Sequence, residues 1–274
     1  MTSVLVIGAT GYSGAYVAAA FAEAGHQVSA LQRPGGRTVP DRYPAVPGDL
    51  SDPASLTAAA RGFDLVVQIG RIEGDIEREG ARALLDSGAR LIHTSGADVL
   101  GSGEVAEDDD PKPPPIVGWR AEVERAVLAG GGVVVRPGLI YGNRGGVVQD
   151  MFVPLANRIG AGVYVGAPGV RWAAVHVEDL ARLYLEVAAK AAPGTAWNGV
   201  SETVTVDRLA AAVGGGVAVS WPEDAPVPPE IGLIGPLMRF DQEVSSEKTR
   251  REMGWKPLHE SIADHYLRER TAAR

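Results

Sequence analysis

The sequence predicts an α/β fold built on a doubly wound, mainly parallel β-sheet, with a smaller lobe in the C-terminal half. Short apolar runs alternate with helical patterns along the first half of the chain, which is the arrangement of βαβ units. The first run, Val4 to Ile7, is apolar at every position, as expected for a central strand buried on both faces. A glycine-rich turn follows this run directly, at the point where such folds connect their first strand to their first helix.

The elements of the first half follow in order from similar signals. A helical pattern runs from Tyr12 to Ala24 and ends at Gly25, since glycine commonly terminates helices. Asp52 and Pro53 mark the start of a second helix, because aspartate caps helix starts and proline suits the first turn. We predict further strands at 28–32, before Gly48, and at 64–69, 90–94 and 132–136, and further helices at 76–87 and 122–129.

The pattern loosens beyond Gly142, which suggests a boundary between two regions. We predict that residues 1–142 form the main α/β domain. Residues 143–274 would mainly form a smaller substrate lobe that returns one or two strands to the sheet. Helical patterns in this half lie near 147–159, 177–189, 206–212, 245–253 and 262–270.

Composition narrows the classes of function. Hydrophobic residues make up 45 % and charged residues 22 % of the chain, which suits a packed core and argues against disorder. The net charge of −8 and the lack of a basic run argue against a nucleic-acid partner. No apolar run could span a bilayer and no signal peptide is recognisable, so we expect a cytoplasmic protein without a membrane partner. The absence of cysteine excludes thiolate catalysis and cysteine-ligated metals.

The glycine-rich turn predicts a dinucleotide site in a Rossmann domain. Glycines three residues apart at a strand-to-helix junction let backbone N–H groups and the helix start meet a pyrophosphate. The alternative is a tight turn that serves packing only. We expect the cofactor to contact Gly8, Thr10, Gly11, Tyr12, Ser13 and Gly14, with Leu50 and Gly70 nearby after later strands.

The end of the second strand bears on which nicotinamide cofactor is bound. NAD-binding domains place an acidic residue there for the ribose 2′-hydroxyl, but this strand ends at Gln32 and Arg33. A guanidinium suits a 2′-phosphate, so NADP(H) is favoured and NAD(H) stays possible; Arg37 could serve equally. Alternatively, Arg33 is a solvated loop charge. Asp49 is placed to face the adenine edge, or else caps a turn.

Four later segments add to these signals, namely Arg136 to Gly142, His176 to Leu180, Trp197 to Gly199 and Ser246 to Pro257. Taken together, these residues resemble the extended short-chain dehydrogenase/reductases, the group including NAD-dependent sugar epimerases and dehydratases. The resemblance covers nearly the whole chain. It implies that Pro137 lies behind the nicotinamide, in the segment after the sixth strand.

The chain departs from this family at its usual catalytic pair. Members carry Tyr-x-x-x-Lys before the sixth strand, and the matching positions here hold Ile116 and Arg120, which places Arg120 where the resemblance implies a ribose contact. No tyrosine in the sequence has a lysine four residues later. The family's Ser/Thr after the fifth strand falls at Gly96, which leaves Ser95 beside it as a candidate catalytic residue.

A reductase without this tyrosine needs another way to stabilise the carbonyl oxygen. Ser95, Arg120, a water molecule or a hydroxyl of the substrate could do so. A phenol beside a ketone carries its own acidic proton, and in lacking the tyrosine the chain resembles the atypical ketoreductases of aromatic, angucyclinone-type polyketide antibiotic pathways. We therefore predict NADPH-dependent reduction of a small aromatic polyketide or quinone carbonyl with substrate-assisted proton transfer.

Two other functions remain open at this point. One is a non-redox isomerase, cyclase or dehydratase that retains the nucleotide, and the other is a non-catalytic protein that senses NADP(H). The apolar stretch Ile231 to Met238 could be a partner surface for a sensor or could line a substrate pocket. The protein could be a monomer or a homodimer.

Other polar residues carry less specific signals. Tyr141 and Tyr164 could enter the site, although packing is the simpler role for Tyr141. His176 is expected to cap or pack at its helix start. We predict no metal site, and we expect the acidic run 107–110 to be a solvated loop.

Overall fold

The computed structural model describes residues 1–70, 74–232 and 234–272. The strands are β1 (Ser3–Ile7), β2 (Gln27–Gln32), β3 (Ala45–Pro47), β4 (Leu65–Gln68), β5 (Arg90–Thr94), β6 (Gly103–Val105), β7 (Val133–Pro137), β8 (Leu139–Tyr141), β9 (Gly162–Val165), β10 (Arg171–His176), β11 (Ala196–Gly199), β12 (Glu202–Thr205), β13 (Ala218–Trp221) and β14 (Gln242–Val244). The α-helices are α1 (Tyr12–Glu23), α2 (Pro53–Ala60), α3 (Asp75–Asp86), α4 (Trp119–Ala129), α5 (Val153–Ile159), α6 (Val177–Lys190), α7 (Val206–Val213), α8 (Glu247–Met253) and α9 (Ile262–Ala272).

The centre of the fold is a seven-stranded sheet in the order β11-β7-β5-β4-β1-β2-β3. All of its strand pairs are parallel. The strand order reverses direction at β1, so crossover helices cover both faces. This is the doubly wound Rossmann architecture that the sequence predicts.

Alternate residues of β1 face opposite layers of helices, because side chains point to opposite faces of a strand. Val4 and Val6 share an apolar core with Phe21 of α1 and with residues of α6. Leu5 and Ile7 share a second core with residues of α2, α3 and the α4 region. Because helices cover both faces of the sheet, side chains on both faces of a central strand are buried. This explains why the central strands appear as continuous apolar runs in the sequence.

The C-terminal half builds a smaller lobe around a third core, which includes Phe152, Leu209 and Tyr266. Its small sheets have the orders β12-β10-β8 and β13-β9, and β14 pairs with β6 of the first half. This half also returns β11 to the edge of the main sheet, beside β7. The division into domains at residue 142 stays a prediction.

Several elements differ from the sequence-based expectation. Helix α4 begins at Trp119, three residues earlier than predicted. The helix predicted over 147–159 consists of a π-helical turn, Val148–Phe152, followed by α5. Pro154 lacks the N–H that would continue the α-helical ladder across this junction. The three-residue strands β6 and β14 were not predicted, because so short a run gives no periodic signal.

The acidic run is not simply a solvated loop, so that expectation was wrong for its first residue. Glu107 is buried, and its carboxylate accepts hydrogen bonds from N and Oγ1 of Thr249, both at 2.9 Å. Asp108 pairs with Lys248 at 2.5 Å. The run therefore anchors the start of α8 to the first half of the chain.

Candidate active site

The glycine-rich turn brings three backbone segments into close contact. Gly8 has φ +94°, and a Cβ at that position would lie 2.4 Å from the Gly70 nitrogen. A Cβ at Gly14 would lie 2.0 Å from the Gly8 oxygen, and Gly11 N–H donates to that same oxygen at 2.9 Å. Only glycine fits at positions 8 and 14, so the start of α1 lies directly against the end of β1.

The other predicted cofactor residues of this edge lie around the turn. Thr10 and Ser13 are partly exposed on it. Leu50 closes the side of the turn, since a Cβ at Gly70 would lie 3.1 Å from Leu50 Cδ1. These residues lie at or near the carboxyl ends of β1 and β4, on the edge of the sheet where open α/β proteins bind their ligands.

Arg33 and Asp49 lie near each other at the ends of β2 and β3. Hydrogen bonds from the backbone and side chain of Ser51 hold the pKa of Asp49 below its ordinary value, and the charge of Arg33 contributes in the same direction. The Ser51 Oγ to Asp49 Oδ1 distance is 2.7 Å. Arg33 is exposed, and Gln32 ties down its loop by donating to the carbonyl of Arg33 at 2.9 Å.

A cavity of about 430 Å³ opens beside the carboxyl ends of β5 and β7. Most of its walls are apolar or aromatic, and both halves of the chain contribute to them. The lining residues include Tyr12, Ser95, Asp98, Ile116, Val117, Trp119, Arg120, Pro137, Leu139, Ile140, Val147, Met151, Trp172, Ile234, Leu237, Phe240 and Gln242.

Arg120 forms an ion pair in the wall of this cavity. Its Nη1 atom lies 2.7 Å from Asp98 Oδ1, and the Arg120 side chain is only 10 % exposed. A Cβ at Gly96 would lie 2.2 Å from Arg120 Nη1. A glycine at position 96 therefore makes room for this guanidinium, and a serine there would displace it.

Ser95 presents a polar atom without a partner. Its Oγ is buried and makes no hydrogen bond to any residue that the structure describes, whereas its backbone N–H donates to Val135 O at 2.9 Å. A buried hydroxyl with no partner is costly, so such a group commonly marks a place where a ligand or water completes the site. Pro137, from the end of β7, lines the same cavity.

Two tyrosines near the cavity donate their hydroxyl groups to backbone carbonyls. Tyr12 lines the cavity but donates its hydroxyl to the Gly142 carbonyl at 2.6 Å, and burial raises its pKa. Tyr141 is buried and donates to the carbonyl of Glu260, with its pKa also raised by burial. Neither Tyr141 nor Tyr164 is among the described residues that line the cavity.

A buried histidine lies behind Arg120. His93 is 2 % exposed, with Nδ1 at 3.2 Å from Gln68 Oε1 and Nε2 at 3.6 Å from Glu77 Oε1. Burial lowers the pKa of His93 to about 4, and the positive charge of Arg120 acts in the same direction. This imidazole is therefore neutral near pH 7.

His176 caps its helix as predicted, since its Nδ1 accepts from Glu178 N at 3.2 Å. Ligand atoms of His176, Asp179 and His259 lie within 4.8 Å of one another. The two imidazoles are stacked at 3.6 Å with 10° between their planes, so their in-plane lone pairs do not converge on one point. Asp179 accepts from backbone N–H groups of 258 and 259. The arrangement joins the 254–261 segment to α6 and does not have the geometry of a metal site.

The apolar stretch 231–238 contributes to the cavity and the lobe core. Ile234 and Leu237 line the cavity, and Ile231 and Met238 are fully buried. Leu233 lies outside the described residues. Ile234 and Leu237 therefore agree with the pocket-lining interpretation, whereas Ile231 and Met238 belong to the lobe core. That this stretch binds a substrate stays a prediction.

Sequence reasoning missed part of this site. Asp98 could have been found, because it is an acidic residue three positions after Ser95 at the end of a strand. Trp172, Phe240 and Gln242 reach the cavity from the distant C-terminal half, and nothing in their local sequence marks them as part of a site.

Among the residues that the structure describes, no helix is long and apolar enough to cross a bilayer.

Comparison with known proteins places the chain among relatives of the same fold. An uncharacterized protein of Saccharomyces cerevisiae is 27 % identical over 96 % of this chain and 98 % of its own length, and one of Schizosaccharomyces pombe is 25 % identical over 94 % and 96 %. An isoflavone reductase homolog of Zea mays is 37 % identical over 25 % of this chain and 26 % of its own.

Solved structures share the fold over almost their whole length. The dTDP-glucose 4,6-dehydratase of Bacillus anthracis, in complex with NAD, has a TM-score of 0.77 and 16 % identity, with 98 % of this chain and 95 % of that chain covered. The UDP-glucose 4-epimerase of Thermus thermophilus, also with NAD, has a TM-score of 0.74 and 21 % identity, with 96 % and 98 % covered. The family model described as NAD dependent epimerase/dehydratase matches residues 4–198, more than half of the chain. The chain therefore belongs to the NAD dependent epimerase/dehydratase family.

Proposed function

We propose that this protein is an NADPH-dependent reductase of a carbonyl group on an apolar, aromatic substrate. The observation that carries the proposal is the mainly apolar cavity beside the ends of β5 and β7, next to the glycine-rich turn. The bound nucleotide would supply a hydride. The protein would supply binding, orientation and charge stabilisation around the reacting carbonyl.

The residues of the glycine-rich turn fit a dinucleotide. Gly8 and Gly14 let the start of α1 pack directly against the end of β1, and α1 begins directly after Gly11. A pyrophosphate there would accept hydrogen bonds from backbone N–H groups at the start of the helix. Thr10, Tyr12 and Ser13 would border it, and Pro137 would lie against the nicotinamide.

The ends of β2 and β3 favour the phosphorylated cofactor. Arg33 is exposed, and its backbone carbonyl is held by Gln32, so its guanidinium is free to pair with a 2′-phosphate. Asp49 is already hydrogen-bonded by Ser51 and neighbours Arg33, which supports a role beside the adenine in place of a ribose contact. NAD(H), which the solved dehydratase and epimerase hold, is the alternative cofactor.

The cavity walls support an apolar substrate over a sugar nucleotide. Trp119, Trp172 and Phe240 offer flat aromatic surfaces for a planar ring system. Arg120 is the cation among the described lining residues, and it is already paired with Asp98. One arginine whose charge is already shared with Asp98 is a poor match for the charges of a diphosphate, although its remaining N–H donors could bind a single oxyanion. A hydroxylated quinone or aromatic polyketide suits these walls.

The proton for the new alcohol would come from the substrate itself. Ile116 lines the cavity at the position where the family resemblance implies tyrosine, and the nearby Tyr12 donates elsewhere. A phenol placed next to the carbonyl would donate to the developing alkoxide without any enzyme acid. A general acid typically contributes roughly 10²–10⁴ in rate, so its replacement by the substrate should leave a clear dependence on that phenol.

A matched pair of substrates tests this proposal. Hydroxyquinones with a free phenol beside the carbonyl should be reduced with stoichiometric oxidation of NADPH, and their O-methyl ethers should react much more slowly. Conversion of a substrate with no NADPH consumed would indicate an isomerase, cyclase or dehydratase. NADPH binding without conversion of any compound would favour a sensor.

A further inference from the structure

We infer that Arg120, oriented by Asp98, is the catalytic residue that stabilises the negative charge on the substrate oxygen. The inference rests on the proposed function, because it assigns a role within that reduction. Arg120 stands in the wall of the cavity with its side chain 10 % exposed, and Asp98 pairs with Nη1 at 2.7 Å. The fold brings both residues to the cavity. Asp98 lies shortly after the end of β5, and Arg120 lies in the first turn of α4.

The guanidinium of Arg120 has N–H donors left to bind a substrate oxygen. A guanidinium has five N–H donors. Within residues 1–70, 74–232 and 234–272, the side chain of Arg120 donates a hydrogen bond to Asp98 and to no other residue. The remaining donors are held in a mostly apolar cavity, where a hydrogen bond to an anion is stronger than in water.

Room for the guanidinium depends on the residue at position 96. Since a Cβ there would lie 2.2 Å from Arg120 Nη1, Gly96 lets the arginine approach the end of β5. The unpartnered Ser95 Oγ is the neighbouring group in the same wall. Because Oγ is neutral, Ser95 would contribute less to charge stabilisation than Arg120.

Arg120 would act on the oxygen that becomes negatively charged during the carbonyl reduction. The carbonyl carbon receives the hydride, the π pair of the C=O bond moves onto oxygen, and the O–H bond of the neighbouring substrate phenol breaks as its proton transfers to that oxygen. The phenolate left behind takes a proton from water. Arg120 stays protonated throughout, because a guanidinium is not deprotonated in proteins, and it acts by stabilising the oxyanion.

Steady-state kinetics at saturating NADPH provide the first test. At NADPH concentrations that saturate each protein, Arg120→Ala should lower kcat on the order of 10²–10³-fold, as for loss of one oxyanion donor, whether or not loss of the expected ribose contact also weakens NADPH binding. Added guanidinium ion should restore part of this turnover. Asp98→Asn should lower kcat less and gain nothing from guanidinium, because Arg120 is still present. Arg125→Ala, on the exposed side of α4, is the matched control and should behave as wild type.

A measurement without turnover provides the second test. The pKa of a nitrophenol bound in the cavity should be lower in the wild type than in Arg120→Ala, because the guanidinium stabilises the phenolate. Equal nitrophenol behaviour in the two proteins would overturn the inference. So would an Arg120→Ala variant that keeps its kcat, or one whose only defect is weaker NADPH binding. A wild-type protein that oxidises no NADPH would instead mean that the proposed function fails.

Discussion

Arg33 is the residue that we propose to favour NADPH over NADH, and replacing it tests that proposal directly. Arg33→Asp should weaken NADPH binding about tenfold or more and spare NADH, since hydrogen bonds to charged groups contribute roughly 1.5–3 kcal/mol. Titration of each cofactor by fluorescence measures both affinities. Arg42→Asp, an exposed arginine of the following loop, is the control. Equal loss of NADPH and NADH affinity would show that Arg33 does not contact the 2′-phosphate.

His93 should make the stability of the fold depend on pH. Burial lowers its pKa from 6.5 to about 4, so the unfolded chain binds a proton at a pH where the folded chain does not. The contribution of the neutral imidazole is complete above pH 6.5 and is lost as the pH falls toward 4. Between about pH 7 and about pH 5, the free energy of unfolding should fall by roughly 2 kcal/mol because of this imidazole.

Urea unfolding of wild type and His93→Gln at these two pH values measures this contribution. The variant should lose less stability on acidification, whatever its stability at neutral pH. Glu77 and Arg120 face the same imidazole, so their charges contribute to the pH dependence that is measured for the wild type. An identical pH dependence in the two proteins would show that His93 is not the group that titrates.

The turn between β1 and α1 requires glycine for a geometric reason. In Gly14→Ala the new Cβ would lie 2.0 Å from the Gly8 oxygen, and backbone cannot move aside as a side chain can. We expect NADPH binding to be lost and the free energy of unfolding to fall by roughly 1–3 kcal/mol. Gly11→Ala, with its Cβ 3.2 Å from the same oxygen, should cost less. Calorimetry and NADPH titration would measure both, and an unaffected Gly14→Ala would contradict this reading of the turn.

Helices and strands were predictable where a local signal marked them. Gly25 and the Asp52–Pro53 pair identified a helix end and a helix start, and Asp52 does accept hydrogen bonds from the backbone of α2. The signals were weaker where tertiary contacts decide. The chain before α4 contains prolines 113–115, so its pattern did not reveal that the helix begins at Trp119. The buried role of Glu107 likewise depends on Thr249, which lies far along the chain.

The molecule as a whole combines a predictable sheet with a cavity that was only partly predictable. The Rossmann sheet follows from apolar runs and glycine turns within one region of sequence. The cavity forms where residues after β5 and β7 meet Trp172 and Phe240 of the other half. No periodicity links such distant positions. Ser95, Arg120 and Pro137 were predicted from the end of a strand and from the family resemblance, whereas Asp98 was not.

The most direct test of hydride transfer uses NADPH deuterated at C4 of the nicotinamide. The protein would be incubated with this cofactor and an aryl ketone that carries a phenol beside its carbonyl, because the carbinol product of a ketone keeps the transferred hydrogen. The product would be analysed by mass spectrometry. We predict one deuterium on the carbon of the former carbonyl, formed with matching loss of NADPH. Unlabelled product with NADPH bound and unconsumed would contradict it, and would place this protein among the non-redox members of its family.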